Sequence, residues 1–73
     1  MARAREKLRQ ARKEKGMTQQ QMADKLGITL RYYKKIERGE SLGAIDLWDM
    51  LEDLFNVHQR VLREIHHDKA DNQ

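Results

Sequence analysis

The strongest constraint on this chain is a pair of helix-opening threonines with a glycine between them: Thr18 heads Thr18-Gln19-Gln20-Gln21, and Thr29 follows Gly27-Ile28. A threonine at a helix N-cap accepts a hydrogen bond from a backbone N–H of the first turn, and a Gln placed a turn later returns one to the cap. Thr18 and Gln21 have that spacing, so a helix starts there, and Gly27, free to take positive φ, stops it. Thr29 opens the next helix and Gly39 ends it. This stretch therefore forms two short helices joined by a sharp turn. Where they cross closely a small residue is required, and Ala23 stands there, while Met22, Leu26, Ile28, Tyr33 and Ile36 occupy the inward positions.

The flanks extend the helical pattern. Residues Ala2 to Lys15 are rich in Ala, Arg, Lys, Glu and Gln, all strong helix formers, with Ala4, Leu8 and Ala11 as a narrow inward stripe and Gly16 as a left-handed stop. A fourth helix is predicted from Ala44 to about Phe55. Its apolar residues Ile45, Leu47, Trp48, Met50, Leu51, Leu54 and Phe55 spread around most of its circumference, as in a helix central to a core or covered by another chain. Asn56 and Gln59 repeat the capping-box spacing, and Val57, Val61, Leu62 and Ile65 continue as a fifth helix. No alternating strand pattern and no internal repeat occurs. The reading is an all-α, compact five-helix domain over residues 1–66, with a polar, frayed tail at 67–73.

Composition narrows the function. Seventy-three residues make one small domain, which buries only about 60% of its unfolded surface. The absence of cysteine excludes disulfides and thiolate zinc sites, and no apolar run approaches the ~20 residues that cross a bilayer. The expectation is a soluble, cytoplasmic protein with no membrane partner. Residues 1–38 hold twelve Lys/Arg against four Asp/Glu, whereas residues 39–73 hold three against eight. That asymmetry predicts a polyanion-binding face on the first half; its rival is a merely solvated basic helix.

Two short helices about a glycine turn describe a helix-turn-helix. Leu8-Arg9 through Gly16-Met17-Thr18-Gln19, then Met22-Ala23, Leu26-Gly27-Ile28 and Ile36-Glu37-Arg38-Gly39, resemble the Cro/C1-type (Xre) helix-turn-helix family of phage and bacterial regulators, over roughly residues 5–65. The resemblance implies a lambda-repressor-like fold whose second and third helices bind double-stranded DNA, and a place in the bacterial cytoplasm or nucleoid, phage- or plasmid-borne genes included. It further implies a sequence-specific transcriptional regulator, a repressor, acting as a homodimer on a palindromic operator with helix three (about 29–38) in the major groove. The matched base readers are Thr29, Leu30, Arg31 and Lys35, Arg31 suiting guanine and Leu30 a thymine methyl. Gln19 matches the family's phosphate-contacting glutamine, at a helix N-terminus where an anion is favoured, and Thr18, Tyr32, Lys34 and Arg38 are further phosphate candidates. Arg12 and Glu37 match a pair that in related repressors forms a buried salt bridge between the first and third helices, the alternative being an exposed pair. The chain departs from the family in having Tyr33 where Val or Ile is usual, no proline before helix four, and Glu52 and Asp53 where small residues are common.

Arg3, Arg5, Lys7 and Arg9 suit either an N-terminal arm on DNA or a solvated helix face. Tyr32-Tyr33 could form a stacking platform for single strands, although helical spacing sends Tyr33 inward. His58, His66 and His67 lack ligand spacing, so neither metal nor cofactor is expected. Asp49, Glu52 and Asp53 are neighbours on a helix, not a catalytic pair in a cleft, and no enzyme is expected. Trp48 and Phe55, with Val61, Leu62 and Ile65, are candidates for a dimer interface; the rival reading has Trp48 and Phe55 filling the chain's own core, and for Trp48 the core is favoured. With no room for a ligand-sensing domain, regulation is expected through concentration or a partner protein. The competing function is a protein-interaction module of antirepressor or antitoxin type; a controller of a restriction–modification or toxin cassette would share the DNA chemistry. Retention of Arg31, Lys34, Lys35 and Arg38 on helix three favours DNA.

Overall fold

The computed structural model describes residues 3–67. Five helices follow one another: α1 (Glu6–Glu14), α2 (Gln19–Leu26), α3 (Leu30–Glu37), α4 (Ile45–Phe55) and α5 (Gln59–Arg63). A two-residue antiparallel pair, β1 (Arg3–Ala4) with β2 (His66–His67), ties the ends of the described chain together, Ala4 facing His66. The fold is all-α apart from that clasp. The expected tail at 67–73 lies, His67 excepted, outside the described residues.

Local chemistry sets most boundaries. Thr18 Oγ1 accepts from the Gln21 N–H at 3.1 Å and Gln21 Oε1 accepts from the Thr18 N–H at 2.9 Å, which completes the capping box. Gly27 sits at φ 73°, ψ 30°, and the following Ile28 N–H reaches back to the Ala23 carbonyl. A side chain at that φ would cost about 1–2 kcal/mol. Three expected boundaries are corrected. The first helix starts at Glu6, not Ala2, because Arg3 and Ala4 are drawn into the clasp with His66 and His67. Asn56 is not the cap of α5 but the left-handed end of α4, at φ 56°. The cap of α5 is His58, whose Nδ1 accepts from the Arg60 N–H, and the helix ends at Arg63 instead of running on to Ile65.

The core is one cluster: Leu8 from α1, Met22, Ala23 and Leu26 from α2, Tyr33 and Ile36 from α3, Leu47, Trp48 and Leu51 from α4, and Leu62 from α5. Ile28, Leu54, Phe55 and Val57 pack at its margin. Helix α4 buries a single stripe and leaves Ile45 and Met50 exposed.

Arg5 is an unexpected member of this interior. It is 2% exposed, so it is neither an arm for DNA nor part of a solvated face. Its Nη1 donates to the carbonyls of Ile36 (2.6 Å) and Ser41 (2.7 Å), and its Nε to that of Arg63 (3.0 Å). The guanidinium lies 5.1 Å from the centre of the Trp48 ring. One planar cation thus satisfies carbonyls at the C-terminal ends of α3 and α5, where the helix dipoles favour positive charge. Burial, helped by the nearby charge of Arg63, lowers the Arg5 pKa from its ordinary value.

Candidate nucleic-acid interface

Packing of α3 is decided by which residues turn inward. Tyr33, Ile36 and Glu37 are buried, which leaves Arg31, Lys34, Lys35 and Arg38 at helical spacing along the opposite face. Arg31, Lys34 and Arg38 are exposed, and Leu30, Tyr32 and Lys35 are half-buried beside them. No acidic side chain of α3 lies among them; Glu40, just past the helix, pairs with Arg38 at the end of the stripe. At its N-terminal end Thr29 Oγ1 accepts from the Tyr32 N–H at 3.1 Å, and its hydroxyl proton remains available to a donor-seeking partner. Tyr32 packs against the core margin near Leu26 and Met50, whereas the Tyr33 ring is fully buried, so the two do not form a shared stacking surface.

The α2 N-terminus lies on the same unit. Thr18 caps the Gln21 N–H, and the N–H groups of Gln19 and Gln20, ahead of the first intrahelical bond, are free to meet an anion. Arg38 is engaged in an exposed ion pair with Glu40 at 3.0 Å, a contact worth less than about 1 kcal/mol that a phosphate can displace.

Behind this face a buried network fixes α3 to α1 and α2. Arg12 Nε donates to Glu37 Oε2 at 2.8 Å and Nη2 to Oε1 at 3.3 Å, while Nη1 holds the Met17 carbonyl at 2.8 Å. Gln19 Nε2 donates to Glu37 Oε1 at 2.9 Å and Tyr33 Oη to Oε2 at 2.7 Å. Burial pushes the Glu37 carboxyl upward, but the hydrogen bonds from Arg12, Tyr33 and Gln19 together outweigh it and hold the pKa below the usual carboxylate range. The Tyr33 phenol is raised well above its ordinary value, by burial and by its bond to Glu37. Three polar side chains, Arg12, Gln19 and Tyr33, therefore satisfy one buried carboxylate, and Gln19, at the head of α2, is oriented by it.

The sequence profile of the helix-turn-helix family matches residues 8–62, which is most of the chain and includes every residue of this network. The chain belongs to the Cro/C1-type helix-turn-helix family. Residues 8–62 form its helix-turn-helix domain. The cryptic phage CTXphi transcriptional repressor RstR of Vibrio cholerae serotype O1 is 46% identical over 52 residues, a match covering 71% of this chain and 46% of that protein. The chain thus spans about half the length of that relative. No solved structure matches it significantly.

Within this helix-turn-helix domain the dimer candidates separate sharply. Trp48 and Leu62 are each 1% exposed, so they fill the protomer's own core and cannot anchor a second chain. The wide apolar spread of α4 is explained in part by Trp48, which packs inward and donates from Nε1 to the Leu42 carbonyl at 2.8 Å. Phe55 and Ile65 are half-buried and Val61 is exposed. Sequence reading overlooked Arg5, the Tyr33 hydroxyl and the exposed Leu42. For Arg5 a signal existed, since Arg5, Leu8 and Arg12 share one face at helical spacing. Among the described residues no group of His, Asp and Glu side chains is arranged as a metal site, and no helix is long and apolar enough to cross a membrane.

Proposed function

We propose that this protein is a sequence-specific repressor that binds a palindromic double-stranded operator as a homodimer, with α3 in the major groove. The observation that carries the reading is the unbroken basic stripe of Arg31, Lys34, Lys35 and Arg38 on the outer face of α3, next to the free N-terminus of α2. Arg31, exposed near the start of α3, makes the bidentate contact to guanine O6 and N7, Leu30 meets a thymine methyl, and Thr29 and Lys35 reach flanking base edges. Thr18, Gln19, Tyr32, Lys34 and Arg38 hold phosphates and set the register. The similarity to a phage repressor supports the same direction of regulation. An interaction-only domain has no use for such a stripe, and its presence weighs against that alternative.

Two substitutions test the division between readers and positioners. Arg31→Ala is expected to cost about 1–3 kcal/mol on the best site and to relax preference at one base pair per half-site. Lys34→Ala is expected to weaken all duplexes alike and to reduce the slope of log affinity against log salt by about one. Affinities on an operator and its single-base variants, measured over a salt series, decide the matter; an unchanged base profile for Arg31→Ala removes Arg31 from the readers.

A further inference from the structure

Helix α4 carries all of its charge as acid: Asp46, Asp49, Glu52 and Asp53, with no Lys or Arg among its 11 residues. Asp46, Asp49 and Asp53 are exposed, and their helical spacing sets them in a row along the outer face, about 10 Å from end to end. None has an ion-pair partner among the described residues; Asp49 accepts a hydrogen bond from the Gln59 amide at 2.8 Å. Like charges at that spacing repel, and Asp53 stands in the last turn, where the helix dipole opposes an anion. The fold therefore leaves a row of uncompensated carboxylates on a chain whose net charge is +3. Apolar surface borders the row on both sides. Met50, 44% exposed, forms one wall of a groove of about 180 Å³ whose lining includes Leu26, Ile28, Tyr32 and Leu47, and Asp46 lies on its edge. Ile45, 72% exposed, lies on the other side of the row. A groove of that size is smaller than the sites of most small-molecule ligands, about 300–1,000 Å³, and suits one large apolar side chain of another protein.

We infer that this face of α4 docks a basic amphipathic helix of another protein, which seats one apolar side chain between Met50 and Tyr32 and lays Lys or Arg against Asp46, Asp49 and Asp53. Charge selects the occupant. Packed helices lie about 8–10 Å apart, so cations spaced by three and four residues on the partner reach the carboxylate row in register. A second copy of this chain is a poor occupant. Its basic helices α1 and α3 turn Leu8, Tyr33 and Ile36 into their own core, and either of them on α4 makes a head-to-tail contact that does not close. Ile28 and Tyr32 belong to the turn before α3 and to its first turn, so the docked side chain presses on the element that bears Arg31. The acidic row is separate from the basic stripe, and its partner binds whether or not α3 reads sequence.

The probe is a display library of helical peptides of about sixteen residues, selected against the folded full chain at near-physiological salt. Enriched peptides are expected to place Lys or Arg at helical spacing around a Leu, Met or Phe. Their affinity is expected to fall about tenfold for each of Asp46→Lys, Asp53→Lys and Met50→Ser, with circular dichroism establishing that every variant is folded. Glu14→Lys makes the same change of charge at the exposed end of α1 and is expected to leave binding unchanged. Replacing the cations of an enriched peptide by Glu abolishes binding to the wild type and restores it to the variant carrying both Asp46→Lys and Asp53→Lys. Failure to enrich any peptide, or enrichment of peptides without basic residues, overturns the inference. So do peptides that bind Asp46→Lys as tightly as the wild type, or that lose as much affinity on Glu14→Lys. Full affinity for Met50→Ser also overturns it, since the face would then be a diffuse negative charge and not a docking site.

Discussion

Arg12→Met is expected to lower the free energy of unfolding by about 3–5 kcal/mol, out of a total of about 5–15 kcal/mol for a domain of this kind. The loss comes from the charge left behind. Glu37 is 4% exposed and would keep only the Tyr33 hydroxyl and the Gln19 amide, while the Met17 carbonyl would lose its donor. Adding Glu37→Leu to Arg12→Met removes that stranded charge, and the double variant is expected to recover much of the loss, since a buried ion pair contributes little net stability over an apolar pair. Urea titrations of the three proteins at neutral pH measure this directly. A cost below about 1 kcal/mol for Arg12→Met would mean that water reaches the bridge.

The network also fixes the acid behaviour. The folded pKa of Glu37 lies below its unfolded value, so its contribution is fully present above the ordinary carboxylate pKa of about 4.3 and is lost as pH falls through the lower folded value. In Arg12→Met the carboxyl lacks its cation, burial dominates, and protonation relieves the strain. The stability gap between wild type and Arg12→Met is therefore expected to narrow as the solution is acidified. Unfolding curves at successive pH values check the sign.

The second large effect is expected at Trp48. Trp48→Ala should cost about 3–5 kcal/mol, through the cavity left by the largest fully buried side chain of the core. The ring does more than fill space: it carries the buried Arg5 on its face and donates to the Leu42 carbonyl that starts the turn into α4. Trp48→Phe keeps an aromatic face but leaves that carbonyl without its donor, and is expected to cost about 1–3 kcal/mol. For a domain this small each kcal/mol lowers the melting temperature by about 4–8 °C, so thermal unfolding followed by circular dichroism separates the two variants clearly. Equal melting temperatures for Trp48→Ala and wild type would contradict the burial of the ring.

The helix-turn-helix unit was legible because its signals are local and mutually consistent. Thr18 and Gln21, Gly27, and Thr29 each specify a cap or a stop through backbone chemistry within a few residues, and the inward stripe from Met22 to Ile36 agrees with them. What escaped depends on contacts far apart in the chain. Helix propensity carried the first helix back to Ala2, but β1 pairs with β2 across the whole domain, and a tertiary pairing overrides propensity. Arg5 sits in a run of basic residues that composition cannot resolve; its spacing to Leu8 and Arg12 sets it apart from Lys7 and Arg9, and the distant Ile36, Ser41 and Arg63 carbonyls are what hold it inside. The His58 cap was missed because Asn56, the better capping residue by type, also favours the left-handed conformation that ends α4. Tyr33 was read as apolar bulk in a position usual for Val or Ile, and its hydroxyl turned out to serve the Glu37 carboxylate.

The central claim is that the α3 face reads sequence in duplex DNA, and selection from random duplexes by the purified full chain at near-physiological salt tests it most directly. Enrichment of a palindrome whose half-sites lie about one helical turn apart, roughly 34 Å, is the predicted result. Recovery of no motif, with binding that disappears as salt rises, would reduce the basic stripe to an electrostatic footprint and contradict the account.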